Sequence, residues 1–158
     1  MTEISPPRFE LYDVTSEDEF ADVFPVLKQL AVMESPETAD SLTLATSWAQ
    51  YEKAQAHDYT LYMAKTTTEV IGVVGLRICE DPLNTGKPWG LINNLVVEED
   101  YRGLGIGTDI LDRVEMVAKK KKCETVALWS LTSNKKNKSF YETAGYSATS
   151  HFMIKDMS

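Results

Sequence analysis

The chain has 158 residues, 43% of them apolar, which is close to the commonest size of a single domain with its own core. Its 24 acidic and 16 basic side chains leave a net charge of −8, which argues against nucleic acid as the main partner because phosphate binding needs a basic surface. The longest apolar run, residues 70–76, is too short to cross a bilayer, and the start of the chain lacks the pattern of a signal peptide. We therefore expect one soluble, cytoplasmic domain over residues 8–158 that does not act at a membrane, preceded by a flexible segment at 1–7.

The first half of the chain is expected to form three strands and two helices. In chain order these are a strand over 8–14, a helix from residue 17, a helix over 39–56, and strands over 59–65 and 70–80. Ser16 and Glu19 have the spacing of a capping box for the first helix, and Pro25 predicts a kink in it. Gly72 and Gly75 indicate a bulge or a close approach in the last of these strands.

The second half of the chain predicts a strand–helix–strand unit followed by a short helix and a strand. In chain order the elements are a strand over 89–97, a helix over 105–122, a strand over 125–131, a helix over 135–144 and a strand over 147–155. Because a helix joins them, strands 89–97 and 125–131 should lie parallel. Gly145 follows the helix predicted over 135–144, and glycine is the residue that most often ends a helix at this position.

Two other sequence features point to structure rather than to a ligand. The lysines at 119–122 suit the negative end of a helix dipole, so we interpret them as a helix end and not as a nucleic-acid patch. The two cysteines, Cys79 and Cys123, form no CxxC pair, so neither a disulfide framework nor a zinc site is indicated. We expect two buried or half-buried thiols.

The most informative stretch is residues 102–107, Arg-Gly-Leu-Gly-Ile-Gly, which lies between an apolar strand and an amphipathic helix. Its three glycines leave the N–H groups at the helix start open to an anion, which the helix dipole also favours. Arg102 adds a fork of donors that matches phosphate oxygens. We expect this turn to bind a pyrophosphate, and a glycine-rich turn without a ligand is the alternative.

Two better-known glycine loops do not fit this stretch. The phosphate loop of nucleotide hydrolases needs Lys and then Ser or Thr after its last glycine, whereas Thr108 and Asp109 follow Gly107. The dinucleotide fingerprint needs a glycine at the position of Thr108 and an acidic residue at the end of the next strand, whereas Glu124 lies at its start. Neither kind of nucleotide site is expected.

Two motifs at the right separation make the sequence resemble the GNAT superfamily of acetyl-CoA-dependent N-acetyltransferases. One is Arg/Gln-x-x-Gly-x-Gly/Ala at residues 102–107, and the other is Asn-x6-Tyr-x3-Gly-aromatic from Asn134 through Tyr141 to Gly145. Residues 145–152 also look like bacterial small-amine acetyltransferases of the aminoalkylphosphonate type. The resemblance implies an α/β (α+β) fold with a mixed central sheet, two N-terminal helices, a β-meander, a βαβ coenzyme A unit, and a C-terminal helix and strand.

The resemblance also implies where acetyl-CoA binds. The sheet should open between strands 89–97 and 125–131, with the pantetheine arm in the gap and the pyrophosphate on the glycine turn. Asn134 would bond the arm, with a plain helix cap as the alternative. The residues implied in coenzyme binding are Leu95, Val96, Val97, Arg102, Gly103, Leu104, Gly105, Ile106, Gly107, Thr108, Asn134, Asn137 and Tyr141.

The chemistry that the resemblance implies is direct transfer, in which a neutral amine attacks the thioester and a tetrahedral intermediate releases coenzyme A as thiolate. The Leu95 backbone N–H is the implied donor to the oxyanion. Tyr141 is the implied general acid for the leaving sulfur, and a packing aromatic is its alternative role.

A general base is harder to assign. Many relatives carry Glu near the positions of Asn93 and Asn94, and an amide cannot take a proton from an ammonium group. His151 is therefore a candidate base, with a structural histidine as the alternative. The carboxylates that could act instead through water are Glu34, Glu80 and Asp81.

Three functions follow from these features. The leading hypothesis is an N-acetyltransferase that acts on the primary amine of a small molecule, because the chain is acidic and has two helices where relatives wall the acceptor pocket. The alternatives are an acetyltransferase of protein lysines or N-termini, and a non-catalytic coenzyme A binding module. A homodimer is possible, since relatives often pair, but no residue marks an interface.

Overall fold

A computed structural model describes residues 4–84, 86–131 and 133–158. The strands are β1 Glu10–Asp13, β2 Tyr59–Lys65, β3 Val70–Cys79, β4 Trp89–Val97 and β5 Val126–Ala127. The helices are α1 Glu17–Glu34, α2 Pro36–Ser41, α3 Leu44–Gln55, α4 Ile106–Lys120 and α5 Lys135–Thr143, and a 3-10 turn covers Glu99–Tyr101. These elements confirm the predicted α/β fold class. The chain forms two units, one up to residue 127 and one over residues 128–158.

The five strands make one mixed sheet in the order β1-β2-β3-β4-β5. The ladders from β1 to β4 are antiparallel, as expected for a meander. The β4–β5 ladder is parallel, which confirms the prediction that a helical crossover joins these strands. This ladder contains the pairs Gly90↔Val126 and Leu91↔Ala127, while β4 itself continues to Val97. β2 and β4 have the predicted bounds.

Local capping decides where the N-terminal helices begin. The Ser16 hydroxyl accepts from the Glu19 N–H at 3.2 Å, and the Glu19 carboxylate accepts from the Ser16 N–H at 3.1 Å, so the predicted capping box is confirmed. Helix α1 continues as one element through Pro25. The single helix predicted over 39–56 is wrong. The chain turns extended at Thr43, whose hydroxyl accepts from the Thr46 N–H at 3.2 Å and starts a new helix, α3.

The C-terminal strands differ most from the prediction. β5 ends at Ala127 instead of residue 131, because the apolar residues that follow do not all pack inward: Trp129 is 50% exposed and Leu131 49% exposed. The strand predicted over 147–155 is wrong, since those residues form no regular secondary structure. Its apolar residues at 152–154 are consecutive, so a pleated strand could not point them all to one face, and all three are exposed.

Apolar side chains cover both faces of the sheet in the first unit. On one face, α1 and α3 pack on the strands through a core of Val14, Phe20, Val23, Val26, Tyr51, Tyr59, Leu61, Met63, Val73 and Val96. On the other face lies α4, whose buried residues Ile106, Ile110, Leu111, Val114 and Ala118 recur at helical spacing. Gly72 permits this packing, because a Cβ there would collide with the Ile110 side chain.

Within the core, the Tyr51 hydroxyl joins β2 to the residue that follows β1, because it donates to the Val14 carbonyl at 2.7 Å and accepts from the Leu61 N–H at 3.0 Å. Replacing Tyr51 with Phe leaves the Leu61 N–H buried without that acceptor. We expect the free energy of unfolding to fall by about 1–3 kcal/mol in urea titrations. Tyr12→Phe, which removes a half-exposed hydroxyl from β1, is the control and should change stability little. An equal effect of both changes would contradict this role for the Tyr51 bonds.

Candidate active site

The glycine turn before α4 has the geometry that an anion site needs. Gly103 and Gly105 have φ angles of +79° and +80°, in the left-handed region that favours glycine, and Gly105 is the N-cap of α4. A Cβ at either glycine would have no described atom within 4 Å, so the space before the turn is open. The first N–H groups of a helix have no acceptor within it, and a glycine cap has no side chain to supply one. A helix start of this kind is suited to an anion.

Arg102 contributes to the shape of the turn as well as to its charge. Its Nε donates to the Val97 carbonyl at 2.9 Å and its Nη2 donates to the Gln29 side-chain oxygen at 3.1 Å. Gln29, on α1, also accepts from the Glu99 N–H at 3.0 Å and donates to the Glu98 carboxylate at 3.2 Å. Sequence reasoning missed Gln29, because its partners lie about 70 residues away and it has no local motif.

A β-bulge interrupts β4 beside the predicted oxyanion donor. Asn93 pairs with Gly75 and Val96 pairs with Val73, so Asn94 and Leu95 together lie opposite one residue of β3. Asn94 has a φ of +51°, which is uncommon outside glycine but tolerated by asparagine. The predicted irregularity is therefore confirmed in the β3–β4 ladder. Leu95, half-buried, directly follows the left-handed residue.

A buried tyrosine contacts both asparagines near the bulge. The Tyr59 hydroxyl donates to Asn93 Oδ1 at 2.8 Å and accepts from Asn94 Nδ2 at 2.8 Å. Gly75 leaves the space for this cluster, since a Cβ there would collide with the Tyr59 hydroxyl and the Asn93 oxygen. Arg77 lies over the Tyr59 ring, 5.1 Å from its centroid. The two amides are recognisable from the sequence, but the pattern around Tyr59 predicts only a strand.

Burial raises the pKa of Tyr59 to about 12, and burial also raises the pKa of Tyr62 to about 12. An unfolded tyrosine titrates near ~10. The folded state therefore holds these protons more tightly, and their contribution to stability is complete below pH ~10 and is lost as the pH rises through ~12. We expect the urea unfolding free energy to fall over this interval, and to fall less steeply in Tyr59→Phe and Tyr62→Phe. If the unfolding free energy of both variants fell with pH as steeply as that of the unchanged chain, the raised pKa values of Tyr59 and Tyr62 would be contradicted.

The second unit carries the other predicted residues. Asn134 is the N-cap of α5, where its side-chain oxygen accepts from the Asn137 N–H at 3.1 Å. Tyr141 lies on the same helix, half-buried, with ring centroids 5.2 Å from Phe140 and 6.0 Å from Tyr146. Gly145 has a φ of +97°, as its predicted role at the helix end requires.

The candidate bases receive no support from their surroundings. His151 is exposed in the irregular segment, so the strand that was expected to position it is missing. Glu34, Glu80 and Asp81 are exposed as well. A general base needs a carboxylate or imidazole that the fold holds in a fixed place. None of these four groups meets that need in the described chain.

The remaining chemistry-bearing residues include the two cysteines. Cys79 and Cys123 are free and half-buried, as predicted, and burial raises the pKa of both thiols. Among the residues that the structure describes, no group of His, Cys, Asp and Glu is placed to hold a metal ion. The described helices include none that is long and apolar enough to cross a membrane.

Known proteins share both the sequence pattern and the fold. The model of the acetyltransferase (GNAT) family matches residues 24–146. A glucosamine 6-phosphate N-acetyltransferase of Trypanosoma brucei brucei is 28% identical over 97 residues, and the match covers 61% of this chain and 64% of that protein, which is less than two thirds of its length.

Two solved structures show the same fold. An acetyltransferase of Trypanosoma brucei superposes with a TM-score of 0.76 at 22% identity, over 95% of this chain and 100% of that one. The glucosamine-6-phosphate N-acetyltransferase of Arabidopsis thaliana superposes with a TM-score of 0.73 at 22% identity, over 96% and 99%. Because the family model matches most of its length, the chain belongs to the acetyltransferase (GNAT) family.

Proposed function

We propose that this chain transfers an acetyl group from acetyl-CoA to the primary amine of a small molecule. The observation that carries the proposal is the left-handed Gly103 and Gly105 immediately before α4, in a chain of this family. The first N–H groups of α4 and the positive end of its helix dipole suit the diphosphate of the coenzyme. The bound thioester supplies the activated acetyl group.

The residues of the chain have distinct proposed roles in this reaction. Leu95 lies in the β4 bulge, where a backbone N–H that leaves the regular ladder can donate to a developing oxyanion. Tyr141, a phenol with a proton to donate, is proposed as the acid for the leaving sulfur. Arg102 and Gln29 hold the start of the glycine turn against the end of β4.

The acceptor should react as a neutral amine. Asn93 and Asn94 stand where a carboxylate base would be expected, and Tyr59 beside them keeps its proton because burial raises its pKa to about 12. None of these three groups takes a proton from an ammonium ion at neutral pH. The rate should therefore follow the unprotonated fraction of the amine and rise with pH.

Two observations favour a small acceptor. The chain has a net charge of −8, which suits a cationic metabolite. A relative that it matches in part is named for a phosphorylated amino sugar, which indicates small-molecule amines as a class to test first. An aminoalkylphosphonate is a second compound of this kind, because the C-terminal motif resembles that of enzymes acting on such amines.

The test is a release assay for the coenzyme A thiol, with acetyl-CoA and a panel of amines. The panel contains glucosamine 6-phosphate, an aminoalkylphosphonate, a polyamine and a lysine peptide. Turnover on one of the first three supports the proposal. Turnover on the peptide alone would show a protein acetyltransferase instead, and tight coenzyme A binding without turnover on any amine would show a binding module.

A further inference from the structure

One buried tyrosine links the second strand of the sheet to the bulge in β4. Tyr59 is 7% exposed, and its hydroxyl bonds to Asn93 and Asn94, each at 2.8 Å. A phenol has one proton to donate and lone pairs to accept with, so the two bonds use the hydroxyl in both directions. Replacing Gly75 with any larger residue would push into this cluster, so three strands are shaped around the hydroxyl.

The Tyr59 hydroxyl restrains the backbone at Asn94 in an uncommon conformation. A φ of +51° is sparsely populated by L-residues, and such conformations persist where the surroundings fix them. The Asn94 side chain is otherwise exposed, and its bond to the Tyr59 hydroxyl ties it to the buried core. The direction of the next peptide group, which carries the Leu95 N–H, depends on the Asn94 φ and ψ angles.

We infer that Tyr59 is a positioning residue: it holds Asn94 in the left-handed conformation and thereby aims the Leu95 N–H at the reacting carbonyl. This inference rests on the proposed function, since it concerns the same acyl transfer. Tyr59 itself does not touch the reacting atoms in this account. It acts through Asn94, so its loss should affect the reaction step more than coenzyme binding.

The raised pKa of Tyr59 is consistent with this role. Burial keeps the hydroxyl protonated well above neutral pH. It therefore donates to Asn93 and accepts from Asn94 throughout the neutral pH range. Arg77, over the ring of Tyr59 and bonded to the His57 carbonyl at 2.6 Å, holds the ring from a second side. The cluster is therefore built to stay in one arrangement.

The experiment is a double-mutant cycle in the full chain. Tyr59→Phe removes the hydroxyl, and Asn94→Gly supplies a residue that adopts a positive φ without any side-chain bond. With the best amine of the panel above, Tyr59→Phe should lower kcat by about tenfold or more and leave KM for acetyl-CoA within about twofold. In the Asn94→Gly background, the same change should lower kcat by no more than about twofold.

Tyr62→Phe is the matched control. It also removes the hydroxyl of a buried tyrosine from β2. Tyr62 lies three positions after Tyr59 in the strand, so its side chain is on the opposite face of the sheet. It should leave kcat within about twofold of the unchanged chain. Equal losses of kcat from Tyr59→Phe in both backgrounds, or an equal loss from Tyr62→Phe, would overturn the inference.

A second measurement does not depend on turnover. Amide hydrogen exchange at residues 94–96 reports whether the bulge keeps its conformation. Tyr59→Phe should speed exchange there by about tenfold, whereas Tyr62→Phe should not. If the unchanged chain acetylates no amine, the proposed function fails, and this measurement alone decides the inference: unchanged exchange at 94–96 in Tyr59→Phe overturns it.

Discussion

Replacing Gly105 with Ala should weaken binding of coenzyme A by about tenfold or more. Gly105 has a φ of +80° at the N-cap of α4, and an L-residue in the left-handed region costs roughly 1–2 kcal/mol. The turn can relieve that strain by rotating its peptide groups, which moves the N–H donors away from the diphosphate. Isothermal titration with coenzyme A measures the effect.

Gly86→Ala is the matched control for this change. Gly86 has a φ of +83°, and a Cβ there also meets no described atom within 4 Å, so the backbone strain is the same. It lies in the loop between β3 and β4 and does not precede a helix. Both variants should lose similar stability, but only Gly105→Ala should lose affinity. Equal affinities of the two variants for coenzyme A would contradict a diphosphate site at α4.

Replacing Tyr141 with Phe should lower kcat by about a hundredfold or more, because a general acid commonly contributes 10²–10⁴ to a rate. Affinity for coenzyme A should stay within about twofold, since the change removes one oxygen and keeps the ring. The ring contacts with Phe140 and Tyr146 can persist in the variant. Steady-state kinetics with the best amine, together with titration of coenzyme A, separate the two effects.

The control for Tyr141→Phe is Tyr146→Phe in the same aromatic cluster. The two rings lie 6.0 Å apart at an angle of 71°, so both changes remove a hydroxyl from one neighbourhood. Tyr146→Phe should keep kcat within about threefold. If Tyr141→Phe also stays within that range, Tyr141 is a packing aromatic and another group protonates the thiolate.

The meander strands and the glycine turn were predictable because their signals are local. Alternating apolar residues define β2 and an apolar run defines β4, and the glycines at 103 and 105 occupy the left-handed conformations that their pattern favours. The capping box at Ser16 is likewise complete within four residues. Such features need no knowledge of distant parts of the chain.

Most of the failures have a physical cause in common, which is dependence on groups far away in sequence. The exception is local: Thr43 caps a new helix through its bond to the Thr46 N–H, inside a stretch whose pattern also suits one continuous helix. Apolar residues at 152–154 suggested a strand, but a strand forms only where a neighbouring backbone pairs with it. Gln29 and Tyr59 bond to partners about 70 and 35 residues away, and no motif marks either residue.

The most direct test of the account is an NMR titration that follows backbone amides during the addition of coenzyme A and, separately, of pantetheine, which lacks the diphosphate. We predict that coenzyme A shifts the amides of Gly103, Gly105 and Gly107 strongly and that pantetheine does not. Both compounds should shift the amides around Leu95. If coenzyme A binds while the three glycine amides stay unchanged, the diphosphate does not lie at the start of α4 and the account is wrong.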